Sequence, residues 1–247
     1  MLASVGHVRP SVTRRPRVLH LVTGDEIVPP EQAPQPGQIR DSNTTLVRAC
    51  LAQWGLTPQQ LRLPEDAAQA ESRIRDSQSG WEHADLLLVS GGASVGEHDF
   101  TRELLEHLGY AIQVRRTTTR PGKPLIFATR DRVVAFGLPG NPLAHFVCLN
   151  LYVRAAVDAF QGRPGKATFA RAALAAEFQA EPNARETLWP ARLELTESGL
   201  ELTPLPWRSS GDLTPLASAN ALVRIPSGCD KLPRGALVEF VATALLT

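Results

Sequence analysis

Residues 84–100, ADLLLVSGGASVGEHDF, constrain the fold more than any other part of this chain. The run 85–89 is short and apolar and ends in small residues. It predicts a buried strand of a parallel sheet, whose carboxyl end is where open α/β sheets bind ligands. Beyond it, Gly91, Gly92 and Gly96 let the backbone approach a bulky anion and turn N–H groups towards it. Glu97 and Asp99 then set hard oxygen ligands beside that anion, as a magnesium-bridged phosphate requires. The same residues also suit a plain Gly-Gly turn from strand to helix, with Asp99 as N-cap ahead of Leu104, Leu105 and Leu108. The residues alone leave both readings open. Gly91 and Gly96 have P-loop spacing, but Glu97-His98 stands where Lys-Ser/Thr belongs, and there is no GxGxxG turn. A P-loop nucleotidase and the usual dinucleotide site are both disfavoured.

Strands and helices alternate on either side. Residues 17–23 read as a first buried strand, ended by Gly24-Asp25-Glu26 and a proline-rich loop through Pro36. Asp41-Ser42-Asn43 starts a helix with the apolar face Leu46, Val47, Cys50, Leu51 and Trp54, closed by Gly55. A short strand at 61–63 precedes a polar helix opened by Glu65-Asp66. Then come the strand at 85–89, a helix at 101–108, a strand at 112–114, and a strand pair at 125–127 and 133–136. An apolar helix runs from Leu143 to about Phe160. This order predicts a layered α/β domain over residues 17–163, preceded by a connector, 1–16. After Gly162-Arg163-Pro164-Gly165 the character changes. Strand-like segments near 169–178, 186–195, 200–205, 221–225 and 236–243 predict a small all-β barrel over residues 167–247.

A formal charge of +1 gives no bulk attraction to nucleic acid or to a membrane, so any anion site must be local. Cys50, Cys148 and Cys229 lie far apart with no CxxC pair, which fits a reducing compartment. No apolar run is expected to reach the roughly 20 residues of a membrane helix. The basic N-terminus carries Pro10 and Pro16 and no sustained apolar face, so a cytoplasmic location is expected.

Four segments bring polar or glycine residues to predicted strand ends: Thr23 to Glu26, Ser90 to Asp99, Arg120 to Lys123, and Leu138 to Pro142. A parallel sheet gathers such ends along one edge. The mix of N–H donors, cations and carboxylates suits a phosphate-bearing ligand held with a divalent metal. Lys123 offers a point charge and Arg120 a planar fork, though both also suit a solvated turn. Pro139-Gly140-Asn141-Pro142 either brings backbone close to a flat or anionic group or only caps the next helix. Asp25 suits the Gly24 turn; Glu26 has no evident structural partner and is read as directed at metal or substrate. The six histidines form no metal-binding pair, and no Gly-x-Ser-x-Gly elbow appears. Metal-assisted transfer at a phosphoanhydride is the expected class.

These blocks, together with Gly37-Gln38-Ile39-Arg40-Asp41-Ser42-Asn43, closely resemble the molybdopterin molybdenumtransferase family of the MoeA/gephyrin E-domain type. Order and spacing match as well as residues, over nearly the whole chain. The resemblance implies a three-layer α/β/α MogA/MoaB-like molybdopterin-binding domain followed by a small all-β barrel. It implies insertion of molybdate into adenylylated molybdopterin with release of AMP, assisted by Mg2+ or Zn2+. By motif position, Glu26 and Asp99 match the acidic active-site and metal-directed residues, and Asp66 a third acid. Thr23, Gly24, Asp25, Ser90, Gly91, Gly92, Ser94, Gly96, Lys123, Pro139, Gly140, Asn141 and Pro142 fall in the cofactor-binding blocks. Arg116 and Arg120 stand where members often carry lysines, and Arg185 and Ser210 fall near ligand-directed barrel positions. Ala93 and Ala144 replace residues often found as Val and Ser.

Members normally carry two further domains ahead of the α/β domain, one supporting dimerisation and lending an acid to the partner's site; neither has a counterpart in these residues. Three activities therefore stay open: molybdenum insertion, a non-catalytic molybdopterin carrier or scaffold, and molybdopterin adenylyltransfer. A molybdopterin adenylyltransferase or a molybdoenzyme chaperone is the expected protein partner, and the chain itself is a monomer or homodimer.

Overall fold

The apolar run Val-Leu-His-Leu-Val forms β1 (Val18–Val22), and every one of its residues is buried. Its neighbour β5 (Leu86–Ser90) is buried throughout as well. Two-sided burial of this kind belongs to central parallel strands covered by helices. The computed structural model describes residues 1–77, 83–91, 100–180, 182–209 and 211–244. The sheet order is β4 (Gln59–Arg62), β1, β5, β8 (Val133–Leu138), β7 (Ile126–Arg130), β6 (Ala111–Val114). The first four run parallel, and β7 runs antiparallel to both its neighbours.

Helices cover both faces. On one side α1 (Asn43–Gln53) and the long helix Pro142–Phe160 pack on Val18, Leu86, Leu88, Phe136 and Leu138. On the other, α2 (Ala67–Asp76) and α3 (Phe100–His107) pack on Leu19, Leu21, Leu87 and Val89. Alternate residues of each strand thus feed alternate cores. Leu21, Leu86, Leu88 and Leu138 are fully buried, and each contributes about 2 kcal/mol of apolar burial. The three-layer α/β/α expectation holds.

The long helix is built from α4 (Pro142–Cys148), a π-helical turn (Leu149–Val153) and α5 (Arg154–Phe160). Pro142 sits at its first turn, where a missing N–H costs nothing. Its 19 residues are long and apolar enough to cross a bilayer, contrary to the sequence expectation. Its apolarity has another cause: it is wedged between the sheet and the second domain, and more than half of it is buried there.

Beyond residue 169 five strands close a barrel in the order β11 (Thr187–Thr196), β12 (Gly199–Pro204), β9 (Ala170–Leu174), β15 (Leu237–Ala242), β13 (Ala221–Ile225). Trp189, Leu193, Leu202, Val223 and Phe240 fill it. Four two-residue strands were not read from the sequence as separate strands: β2 (Ile27–Val28), β3 (Ile39–Arg40), and the antiparallel pair β10 (Phe178–Gln179) and β14 (Lys231–Leu232). Two residues carry no readable period. The parallel β2–β3 pair closes the proline-rich loop and holds it at the sheet edge.

The two domains share a small core of Val147 and Leu151 against Leu188, Leu222 and Val241. A backbone ladder joins them too. The Arg120 N–H donates to Glu186 O at 2.8 Å, and the Leu188 N–H donates to Arg120 O at 2.7 Å.

Candidate functional site

The chain runs from β1 out to β4 and then back across β1 to β5, so strand order reverses between β1 and β5. That reversal opens a crevice at the carboxyl ends, where ligands of such sheets bind. Register fixes what lies there. Val22 pairs with Ser90 and Ser90 with Leu138, so Thr23, Gly91 and Pro139 emerge side by side. A cleft of about 790 Å3 lies over them, between this edge, the β2–β3 loop and the barrel.

Its floor is locked by hydrogen bonds. Thr23 donates its N–H to Ser90 O at 2.8 Å and its hydroxyl to the same oxygen at 3.3 Å. Gly91 has φ +99°, and a Cβ there lies 2.0 Å from Thr23 O. No side chain fits, so only glycine lets the two backbones meet. Asn43 Nδ2 donates to Gly140 O at 2.8 Å and ties α1 to the Pro139–Pro142 turn. Asp41 accepts from Thr44 N–H and its hydroxyl, capping α1, and pairs with Arg62 at 2.9 Å. Arg62 also donates to Ile27 O, which pins β2 to the sheet.

Among the described residues the cleft is lined by five cations, Arg40, Arg120, Lys123, Arg185 and Arg208, against two carboxylates, Glu26 and Asp41. With Asp41 already paired to Arg62, the balance favours an anionic ligand. The barrel supplies Arg185, Trp207, Arg208 and Ser209, so the site belongs to both domains.

A family description, "Probable molybdopterin binding domain", matches residues 20–159, which hold every strand of the six-stranded sheet but the first residues of β1. The chain belongs to the molybdopterin-binding domain family. A second description, "MoeA C-terminal region (domain IV)", matches residues 171–242, the barrel. The chain is similar to a molybdopterin molybdenumtransferase of Staphylococcus epidermidis, 31% identical over 98% of this chain and 58% of that protein. It is 29% identical to the enzyme of that name from Bacillus subtilis, over 98% of this chain and 56% of that one. A solved molybdopterin biosynthesis MoeA protein from Pyrococcus horikosii superposes with TM-score 0.77 at 28% identity, over 99% of this chain and 59% of the other. The chain thus spans under two thirds of the length of these relatives.

In this molybdopterin-binding domain the structure brings Glu26, Thr23, Ser90, Gly91, Arg120, Lys123, Pro139, Gly140, Asn141, Pro142 and the barrel's Arg185 to one cleft. Gly24 and Asp25 stand in the adjoining turn without lining it. Gly92, Ser94, Gly96, Asp99 and Ser210 lie outside the described residues. Arg116 is exposed ahead of the Arg120 turn and is not among the lining residues. Asp66 is the N-cap of α2, where its carboxylate accepts from Gln69 N–H at 2.8 Å. The preceding residue, Glu65, lies within electrostatic reach of the acidic turn. Burial, then the charges of Glu26 and Asp25, push its carboxyl above the usual range.

Two buried histidines lie beneath the floor. His20 Nε2 is 2.6 Å from Ser90 Oγ, and Gln60 Nε2 reaches His20 Nδ1 at 3.0 Å. The Gln60 amide must donate, so the proton of His20 sits on Nε2 and points at Ser90. His145 Nδ1–H donates to Pro139 O at 3.0 Å, and its Nε2 has no hydrogen-bond partner among the described residues. Burial, then His145, depress His20 to about 3. Burial depresses His145 to about 4, against the opposing pull of the Pro139 carbonyl and Asp41. Both rings are neutral struts under the cleft.

Sequence reasoning marked Asp41 and Asn43 only as a helix start, which α1 matches, and gave neither a place in the cleft they line. It missed Trp207, Arg208 and the two histidines altogether. An isolated aromatic before a turn and single histidines in apolar runs carry no pattern to find.

Proposed function

We propose that this chain carries the site at which molybdate is inserted into adenylylated molybdopterin, with hydrolysis of the adenylyl link and release of AMP. The observation that carries this reading is the cationic cleft at the sheet's switch point, floored by Thr23, Ser90 and Gly91 and closed by the barrel. Arg120, Lys123 and Arg185 are suited to hold phosphate or molybdate oxygens, two of them as planar forks. The Pro139–Pro142 turn offers a rigid apolar wall to a flat heterocycle. The relatives from Staphylococcus epidermidis and Bacillus subtilis, both molybdopterin molybdenumtransferases, support the same chemistry.

Among the described residues no three His, Cys, Asp or Glu side chains gather closely enough to hold a metal ion. Magnesium nevertheless fits, because it binds through one or two carboxylates and completes its shell with water and substrate phosphate oxygens. Glu26 would hold it, together with Asp99 by that residue's place in the sequence motif. It would supply neutralisation of charge on the phosphoanhydride. Zinc fits less well, since the described lining includes neither His nor Cys. The free thiols Cys50, Cys148 and Cys229 support a cytoplasmic setting.

The test is incubation of the chain with adenylylated molybdopterin, molybdate and magnesium, reading AMP release and reconstitution of a molybdoenzyme. AMP release with reconstitution is expected. Tight binding without AMP release would assign the chain to carriage of the cofactor. Formation of adenylylated molybdopterin from ATP would assign it to adenylyltransfer.

A further inference from the structure

Arg120 belongs to the α/β domain, yet the barrel holds it in two independent ways. Its backbone N–H and C=O are both bonded to barrel groups, at Glu186 O and Leu188 N. Its guanidinium lies over the Trp207 ring, 5.3 Å from the centroid. We infer that Trp207 is a positioning residue, which aims Arg120 at an oxyanion in the cleft and makes anion binding depend on the barrel. The inference rests on the function proposed above, because it assumes that the cleft takes phosphate or molybdate oxygens.

The ring is itself well fixed. Trp207 stands edge-on to Trp189, centroids 4.8 Å apart at 79°, and Trp189 stands edge-on to Phe178 at 5.0 Å and 72°. Trp207 Nε1–H donates to Ser209 O, and Trp189 Nε1–H to Leu205 O at 2.7 Å. A guanidinium resting on an indole is engaged through its π face, which consumes no N–H donor. The stack itself therefore takes none of the in-plane donors, while the side chain loses rotamer freedom before the ligand arrives. Ordering done in advance appears as affinity. Cation–π contacts of this kind correspond to roughly two- to thirty-fold in a binding constant.

Titration of the purified chain with sodium molybdate tests this, using wild type, Trp207→Leu, Trp207→Phe, Arg120→Gln and the Trp207→Leu/Arg120→Gln pair. Trp207→Leu is expected to weaken molybdate roughly three- to thirty-fold, Trp207→Phe by less, and Arg120→Gln by at least as much as Trp207→Leu. With Arg120 already gone, Trp207→Leu is expected to add nothing, the signature of a residue acting through its partner. An equal loss in both backgrounds, or no loss in wild type, overturns the inference and leaves the proposed function standing. Absence of binding by wild type, to molybdate and to adenylylated molybdopterin alike, overturns the proposed function itself. Should Trp207→Leu unfold, the Trp207→Phe/Arg120→Gln cycle decides by the same criterion.

Discussion

Acidification between pH 7 and pH 5 is expected to destabilise this chain steeply, because His20 and His145 are buried as neutral rings. In the unfolded chain each titrates at its ordinary 6.5, whereas folding holds them at about 3 and about 4. A depressed native pKa means that the unfolded state binds the extra protons. The stabilisation is therefore full above 6.5 and drains away as pH falls towards the native values. At pH 5 an unfolded histidine sits 1.5 pH units below 6.5, worth about 2 kcal/mol, while the native ring remains unprotonated. Two rings give about 4 kcal/mol, a large part of the 5–15 kcal/mol typical of a folded domain. The raised carboxyl of Glu65 opposes this trend, and the lowered Asp85 acts only at lower pH. Urea unfolding at pH 7, 6 and 5 measures the slope, with His20→Gln/His145→Gln as the comparison. Glutamine keeps a polar group at each site and removes the titration. The double variant is expected to lose most of the pH dependence even if it is less stable at pH 7. A wild-type slope that survives in the double variant would refute the reasoning.

Gly91→Ala is expected to abolish ligand binding and lower the melting temperature by several degrees, since its Cβ meets Thr23 O and its φ is +99°; unchanged thermal unfolding contradicts the close approach. Leu151→Ala, in the core shared by the two domains, is expected to cost about 2–5 kcal/mol in urea unfolding; a change under about 1 kcal/mol contradicts a packed junction. Asp66→Ala is expected to cost about 1 kcal/mol of stability, and Asp66→Asn almost nothing, because asparagine caps equally well. AMP release that collapses in Asp66→Asn with stability intact would show a catalytic role for Asp66 beyond its cap.

The sheet and the barrel were legible because their strands are long enough to show apolar runs bounded by Gly, Pro and Ser. The strand-end blocks were legible because glycine and proline mark places where backbone geometry, not side-chain size, decides. The boundary between acidic neighbours was not. In Glu65-Asp66 a helix cap and an acid within electrostatic reach of Glu26 sit in adjacent positions, and only the backbone at Asp66, extended rather than helical, tells which is which. The apolar helix Pro142–Phe160 was legible, and its apolar length comes from burial between two domains, which selects the same residues as lipid does. Trp207 and Arg208 reach the cleft only because the barrel docks against α4 and the π turn. No local pattern announces a contact made across a domain junction.

The proposed function places molybdopterin's phosphate and molybdate in the strand-end cleft, against its cations. Equilibrium binding of adenylylated molybdopterin to wild type and to Arg120→Gln/Lys123→Gln, at two salt concentrations, tests it most directly. At least about a tenfold loss of affinity is expected in the variant, from two charge-assisted contacts of about 1.5 kcal/mol or more each, together with a weaker salt dependence. Equal affinities and equal salt slopes for the two proteins would contradict it.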